Sequence, residues 1–407
     1  MKRLTLVIPI FLLAALQAAA PPALAPRGTT ALKTFLRTAV DRGDVPGVVA
    51  MVVNRDGVLF HDAAGKLNVA GGIDMPKDAI FRIASMTKPV TSVAVMMLVE
   101  EGKLKVDDEV SKYLPAFKQR QVLTSVNEAT GTFETRPARH PIAIRHLLTH
   151  TSGIGYAFSD RRLAIALKKT GAVSEAELPL LHEPGEQWTY GASTRVLGDV
   201  VEKISGQRID AFLESRIAKP LGMNDTTFTV PRAKYARVVT AHQKENGKTT
   251  EDQNPETIPA TIRGDGGLFS TASDYGLFVR MLLNEGQLGA TRLLSAQTIR
   301  EMTKNQMGSV VVHQQPTADP RRSNPFPLGA GEDTWGFGFQ IAAPKSRSPN
   351  MRSPGSYNWA GIHNTFFWVD PEKQIGVIVL MQVLPFYDDQ AIQLLRGVEE
   401  LVYRHLR

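Results

Sequence analysis

The chain has 407 residues, 43% of them hydrophobic, no cysteine, and a formal net charge of +7 from 47 basic and 40 acidic side chains. Without cysteine there is no disulfide, thiolate metal site, cysteine nucleophile or lipid-anchoring thiol, and a packed core must carry the stability. The charge excess is mild for this length and no basic tract is interleaved with aromatics, which argues against a nucleic-acid partner.

Residues 1–25 have the pattern of an export signal. Lys2 and Arg3 make a basic start, Leu4 to Leu16 an apolar stretch, and Ala18-Ala19-Ala20 and Ala23-Leu24-Ala25 are two small-residue cleavage candidates. The apolar run is short for a membrane span. The expectation is therefore a periplasmic or secreted protein of residues 26–407, with no stable membrane insertion after cleavage.

Over residues 30–41, Leu32, Phe35, Leu36, Ala39 and Val40 share one helical face. Val48 to Val53 and Val58 to Phe60 read as strands joined by a turn at Asn54-Arg55-Asp56-Gly57. A long apolar helix runs from Ser85 to about Glu101, with Gly102 as its stop and Pro89 tolerated in its first turn. Helices are expected over 193–204, over 208–218 ending before Pro220, and over 274–285. Residues 305–333 are polar and rich in Pro, Arg and Ser, and read as an exposed loop. Strands follow at Gly336 to Ala342, Tyr357 to Val369 and Gly376 to Gln382, with a turn at Asp370-Pro371-Glu372-Lys373, and a last helix covers about Asp388 to His405. Strands at both ends and helices between predict an α/β fold of the α+β kind. Its mainly antiparallel sheet (about 26–84 and 334–407) is flanked by helices, with an inserted mostly helical part (about 85–333).

Chemistry concentrates at Ser85-Met86-Thr87-Lys88. A serine and a lysine three apart share a helical face, and a lysine held partly neutral by burial can take the hydroxyl proton. Ser85 alone of the nineteen serines has a lysine at that spacing. A second proton carrier is expected at Tyr190, in a Pro184-Gly185 loop. Trp359-Ala360-Gly361, in a strand, would let a substrate approach the backbone, so that the N–H groups of Ser85 and Ile362 form an oxyanion hole. Trp359, Gly361 and His363 are the candidate substrate contacts. Spacing leaves open whether Lys88 or Tyr190 is the base. His146 and His150 are four apart, but no glutamate stands between them and no third ligand follows, so neither a metal nor another cofactor is expected. Ser125-Val126-Asn127 imitates an SxN motif within a polar stretch. No GxSxG elbow exists.

The order SxxK, Pro-Gly-x-x-x-x-Tyr, Trp-x-Gly resembles that of the serine β-lactamase and penicillin-recognising superfamily. Within it, the chain looks most like the class C β-lactamase branch and its family VIII carboxylesterase relatives. Phe81 to Lys88, Ile144 to Gly153 and Gly266 to Thr271 match family segments. The resemblance implies a β-lactamase/transpeptidase-like fold and a serine hydrolase that forms an acyl-enzyme on Ser85. Two departures refine it. Tyr190-Gly191-Ala192 lacks the asparagine of Tyr-x-Asn, and Trp359-Ala360-Gly361 stands where class C enzymes have Lys-Thr-Gly. An aromatic in place of that cation favours a small neutral ester over an anionic lactam. The implied activity is a short-chain carboxylesterase with weak β-lactam hydrolysis. The rivals are a β-lactamase or D-amino-acid peptidase, and, from another class, an inactive penicillin- or peptidoglycan-sensing protein.

Overall fold

The computed structural model describes residues 21–253, 262–344 and 350–407. The basic start, the apolar stretch and the first cleavage candidate of the expected export signal lie outside the described residues. Among the described residues no helix is long and apolar enough to cross a membrane.

In chain order, the elements that set up the site are α1 (Pro26–Asp41), β1 (Gly47–Asn54), β2 (Val58–Asn68), β3 (Ile73–Asp74), α2 (Thr87–Glu100), α3 (Ser193–Ser205), α4 (Ala272–Leu283), β4 (Thr334–Trp335), β5 (Gln340–Ile341), β6 (Tyr357–Gly361), β7 (Thr365–Asp370), β8 (Ile375–Leu380) and α5 (Asp389–His405). The eight strands form one antiparallel sheet in the order β4-β5-β6-β7-β8-β1-β2-β3. Strands from the two ends of the chain meet where β1 pairs with β8, Val49 opposite Leu380 and Asn54 opposite Ile375. β1, β7 and β8 are buried along their full length, as strands covered on both faces must be. α4 packs closely against β1 and β8, tightly enough at Gly376 to require glycine. A Cβ on Gly276 would stand 3.0 Å from Met51 Sδ, and one on Gly376 would stand 2.1 Å from Val279 Cγ1. α1 and α5 pack against one another. Ahead of α1, the backbone of Ala23 pairs with Arg407 and that of Ala25 with His405, so the second cleavage candidate is part of the fold.

The β1–β2 turn is closed by its first residue. Asn54 Oδ1 accepts the N–H groups of Asp56 and Gly57 at 2.9 and 2.8 Å. Asp370 does the same for the β7–β8 turn, accepting the Lys373 N–H at 2.9 Å.

Four expectations change. The strand expected at Gly336 to Ala342 is a hairpin of two short strands, β4 and β5, with residues 336–339 between them. The stretch Tyr357 to Val369 is a hairpin, β6 and β7, rather than one strand. It turns at Asn364, which takes φ 60° and whose side-chain amide donates to the carbonyls of Val383 and Pro385. Asparagine tolerates that conformation, so the turn needs no glycine or proline. The helix expected to end before Pro220 continues through it. Ile209–Leu213 widens into a π turn at Glu214–Ala218, and Lys219–Leu221 follows with Pro220 near the start of its own turn, where the missing N–H costs little. Residues 305–333 are irregular but not simply exposed, because Val312, Gln315, Ser323 and Phe326 are buried among them.

Candidate active site

Ser85 stands in a 3-10 turn, Ala84–Met86, that runs directly into α2. Ala84 is held at φ 45°, a left-handed conformation uncommon for a residue with a Cβ. Such strain is kept where the surroundings over-determine it, often beside reactive groups. From Thr87 to Leu98 every residue of α2 is buried, as expected for a helix apolar on all sides. Lys88, only 1% exposed, is therefore carried into the core.

The Lys88 ammonium donates to Ser85 Oγ at 3.0 Å and to the Asp265 carbonyl at 2.7 Å. It lies 4.8 Å from the ring centre of Tyr190 and 5.5 Å from that of Tyr156. Burial pulls its pKa down to about 7; Asp265 opposes that and Arg263 adds to it. Near neutral pH the amine is thus part protonated and part free, one turn from a serine hydroxyl.

Tyr190 reaches the same hydroxyl from the opposite element. Its phenol is hydrogen-bonded to the Ser85 side chain and accepts from the Trp359 indole N–H at 3.2 Å. Burial raises the phenol above its ordinary value, with the bonds to Ser85 and Trp359 acting the other way. The next residue has to be glycine, because a Cβ on Gly191 would lie 2.0 Å from the Ile154 carbonyl oxygen. That contact seats Tyr190 just before α3. The backbone N–H of Tyr190 donates to Gln315 Oε1 at 3.2 Å, and its ring packs on those of Trp359 and His150 at 4.7 and 4.9 Å.

At the end of β6, a Cβ on Gly361 would stand 2.3 Å from the Ile83 carbonyl oxygen and 2.3 Å from Thr365 Oγ1. Only glycine lets the strand close onto the turn that carries Ser85, with Ile362 and His363 following at the cavity wall. The cavity is about 270 Å3 and opens over Ser85, a size fit for a small organic molecule. Burial, with Arg82 and Arg322 nearby, pushes the His363 pKa down to about 3, so its imidazole is neutral.

All seven residues singled out in the sequence meet here: Ser85, Lys88, Tyr190, Trp359, Gly361, Ile362 and His363. The sequence reading missed others at the cavity, namely Tyr156, Glu175, Asp265, Arg322 and Phe326. Asp265 accepts from the Tyr156 hydroxyl at 2.5 Å and pairs with Arg263 at 3.0 Å. Its signal was the run Arg263-Gly264-Asp265-Gly266-Gly267, a charge pair set among glycines. His146 and His150 do not converge. His146 Nδ1 accepts the Ala143 N–H at the start of a short helix, and His150 lies among Trp188, Tyr190 and Trp335. Ser125 is on an exposed hairpin, bonded to Glu134.

Among known proteins, the family described as Beta-lactamase matches residues 32–399. An uncharacterised protein of Mycobacterium tuberculosis is 33% identical over 371 residues, covering 86% of this chain and 89% of its own. Esterase EstB of Burkholderia gladioli is 29% identical over 384 residues, 88% of this chain and 90% of its own. Among solved structures, the simvastatin synthase LovD of Aspergillus terreus superposes with a TM-score of 0.79 at 25% identity, covering 93% of this chain and 98% of that one.

Proposed function

The chain belongs to the beta-lactamase family, as a serine hydrolase whose characterised relatives are esterases and acyltransferases, and on that footing we propose that it cleaves small esters through an acyl-enzyme on Ser85. The observation that carries this is Lys88: a buried amine 3.0 Å from the serine oxygen, with its pKa drawn to about 7.

Unprotonated Lys88 takes the proton as Ser85 Oγ attacks the ester carbonyl. The carbonyl electron pair moves onto oxygen, and the N–H groups of Ser85 and Ile362 hold the resulting oxyanion. As the carbonyl re-forms, the C–O bond to the alcohol breaks and the alkoxide leaves with a proton handed on through Tyr190. The raised pKa of that phenol keeps it protonated, so it serves as a donor and relay while Lys88 is the base. Water then attacks the acyl-Ser85 ester, Lys88 takes its proton, and the acid departs with Ser85 restored.

Two features favour esters over lactams. Ala192 has no amide to grip a lactam side chain, and the Trp359 indole occupies the place of a cation while orienting Tyr190. Hydrolysis of p-nitrophenyl butyrate and of nitrocefin by wild type and Ser85→Ala tests this. Ester turnover well above nitrocefin turnover, both abolished in the variant, is the expected result. Dominant nitrocefin turnover would put the lactamase reading first, and ester turnover surviving in Ser85→Ala would end the mechanism.

A further inference from the structure

Trp359 removes a cation from the wall that β6 builds, yet three arginines, Arg82, Arg263 and Arg322, line the cavity. Arg322 is contributed by residues 305–333, which the main sheet does not include. Its backbone is tied down. The Arg322 N–H donates to the Asp319 carbonyl at 3.0 Å and its carbonyl accepts from the Phe386 N–H at 2.9 Å. The guanidinium lies 5.8 Å from the ring centre of Phe158, which also lines the cavity.

The charges around it are arranged unequally. Arg263 is neutralised by Asp265 at 3.0 Å, and the Asp265 carboxylate is further occupied by Tyr156. Glu175, the other carboxyl of the cavity, accepts the Ala157 N–H at 2.8 Å and is pushed toward its neutral form by burial and by Asp265. Among the described residues no carboxylate is within ion-pair distance of Arg322. Arg322 is near enough to favour the charged form of Glu175 and the neutral form of His363. The His363 Nδ1 is buried with no hydrogen-bond partner in the protein, and buried polar atoms are rarely left so unless something else satisfies them. An exposed guanidinium on a tethered backbone and a neutral imidazole, both lining the cavity over the serine, are groups suited to receive a carboxylate.

We propose that the preferred substrate is a small ester bearing a free carboxylate, received by Arg322 with His363 beside it at the cavity wall. This rests on the esterase reading of Ser85 and names the substrate class of the same site. The cation differs in origin from one carried on β6: it comes from a separate segment, and Trp359 remains in contact with Tyr190.

The test compares charged and neutral esters of matched shape in wild type, Arg322→Gln and Arg322→Lys. Mono-p-nitrophenyl glutarate against p-nitrophenyl valerate places the carboxylate on the acyl side. 4-Carboxyphenyl butyrate against phenyl butyrate places it on the alcohol side. The expected result is a charged-to-neutral ratio of kcat/KM that falls about tenfold in Arg322→Gln for one of the two pairs, carried by the KM of the charged ester, with Arg322→Lys restoring much of the loss. The preference should also weaken with added salt. An unchanged ratio for both pairs would overturn the proposal. Calorimetric binding of monomethyl glutarate to Ser85→Ala, with and without Arg322→Gln, reads the subsite without turnover. Binding that needs Arg322 in a protein that hydrolyses none of the esters would retain the anion site and reject the esterase reading. Unchanged charged-to-neutral ratios for both pairs in an active esterase would do the reverse.

Discussion

A lysine buried in the core and held near neutrality costs the fold something, and Lys88 shows where. Between its folded pKa of about 7 and the ordinary value of 10.5, the unfolded chain binds a proton that the folded chain does not. Stability must therefore rise with pH across that window, and below it the full cost, a few kcal/mol, remains. Lys88→Met is expected to abolish ester hydrolysis while raising Tm at pH 6 by a few degrees, which paired melting and activity measurements would check. A Tm that falls would mean the ammonium is stabilised where it lies. The same group sets the pH dependence of catalysis. kcat/KM for a neutral ester should climb as pH rises through about 7, where Lys88 loses its proton, and should level off above that. Tyr190→Phe should lower kcat by about 10²–10⁴ with little change in the midpoint of that profile; a profile that moves bodily with Tyr190 would transfer the role of base to it.

At the scale of elements, the site depends on two backbones meeting where side chains would keep them apart. Gly361→Ala pushes a methyl group into the Ile83 carbonyl and Thr365 Oγ1, so the end of β6 must withdraw from the serine turn. The expected cost is about 10²-fold in kcat, with the overall fold and the Tyr190 environment kept, as fluorescence and melting would show; an unaffected kcat would mean that Ile362 plays no part in oxyanion binding. Much of this geometry was legible in the chain. Ser85 and Lys88 could be found because they stand one turn apart where the 3-10 turn runs into α2, and spacing fixes direction there. Trp359 and Gly361 could be found because a glycine in an apolar strand calls for a close approach. Arg322, Phe326 and Tyr156 could not, since no periodicity relates residues 305–333 to α2 and only the closed fold brings them to one cavity. The β6–β7 hairpin was hidden for a different reason: Asn364, not Gly361, takes the left-handed conformation of the turn, and Gly361 is accounted for by its close approach to Ile83.

At one flank of the molecule a buried ion pair joins the last helix to the sheet. Arg352 donates through Nε and a terminal nitrogen to the two oxygens of Glu399 at 2.8 and 2.9 Å, and its backbone N–H joins them at 3.0 Å. The guanidinium also lies 4.5 Å from the Trp368 ring centre. This ties α5 to the segment before β6 and to β7. Removing one partner of such a pair strands the other charge, so Glu399→Ala should destabilise the fold by about 3–5 kcal/mol and lower Tm well before it touches the chemistry of Ser85. A small shift in urea midpoint would show that Arg352 finds water instead.

The pairing of β1 with β8 also dictates an order of events during synthesis. β1 and β2 emerge early and can form their hairpin at once, but the other edge of β1 has no partner until Ile375–Leu380 leaves the ribosome. For most of translation an apolar strand edge stays open, the condition under which chains aggregate or recruit chaperones. The sheet is completed only when its last strands arrive, so the strand-to-turn contact at Gly361 and the cavity above Ser85 come into being late and together. A ribosome-stalled chain that stops short of residue 375 should remain protease-sensitive through β1, however well its helices have formed.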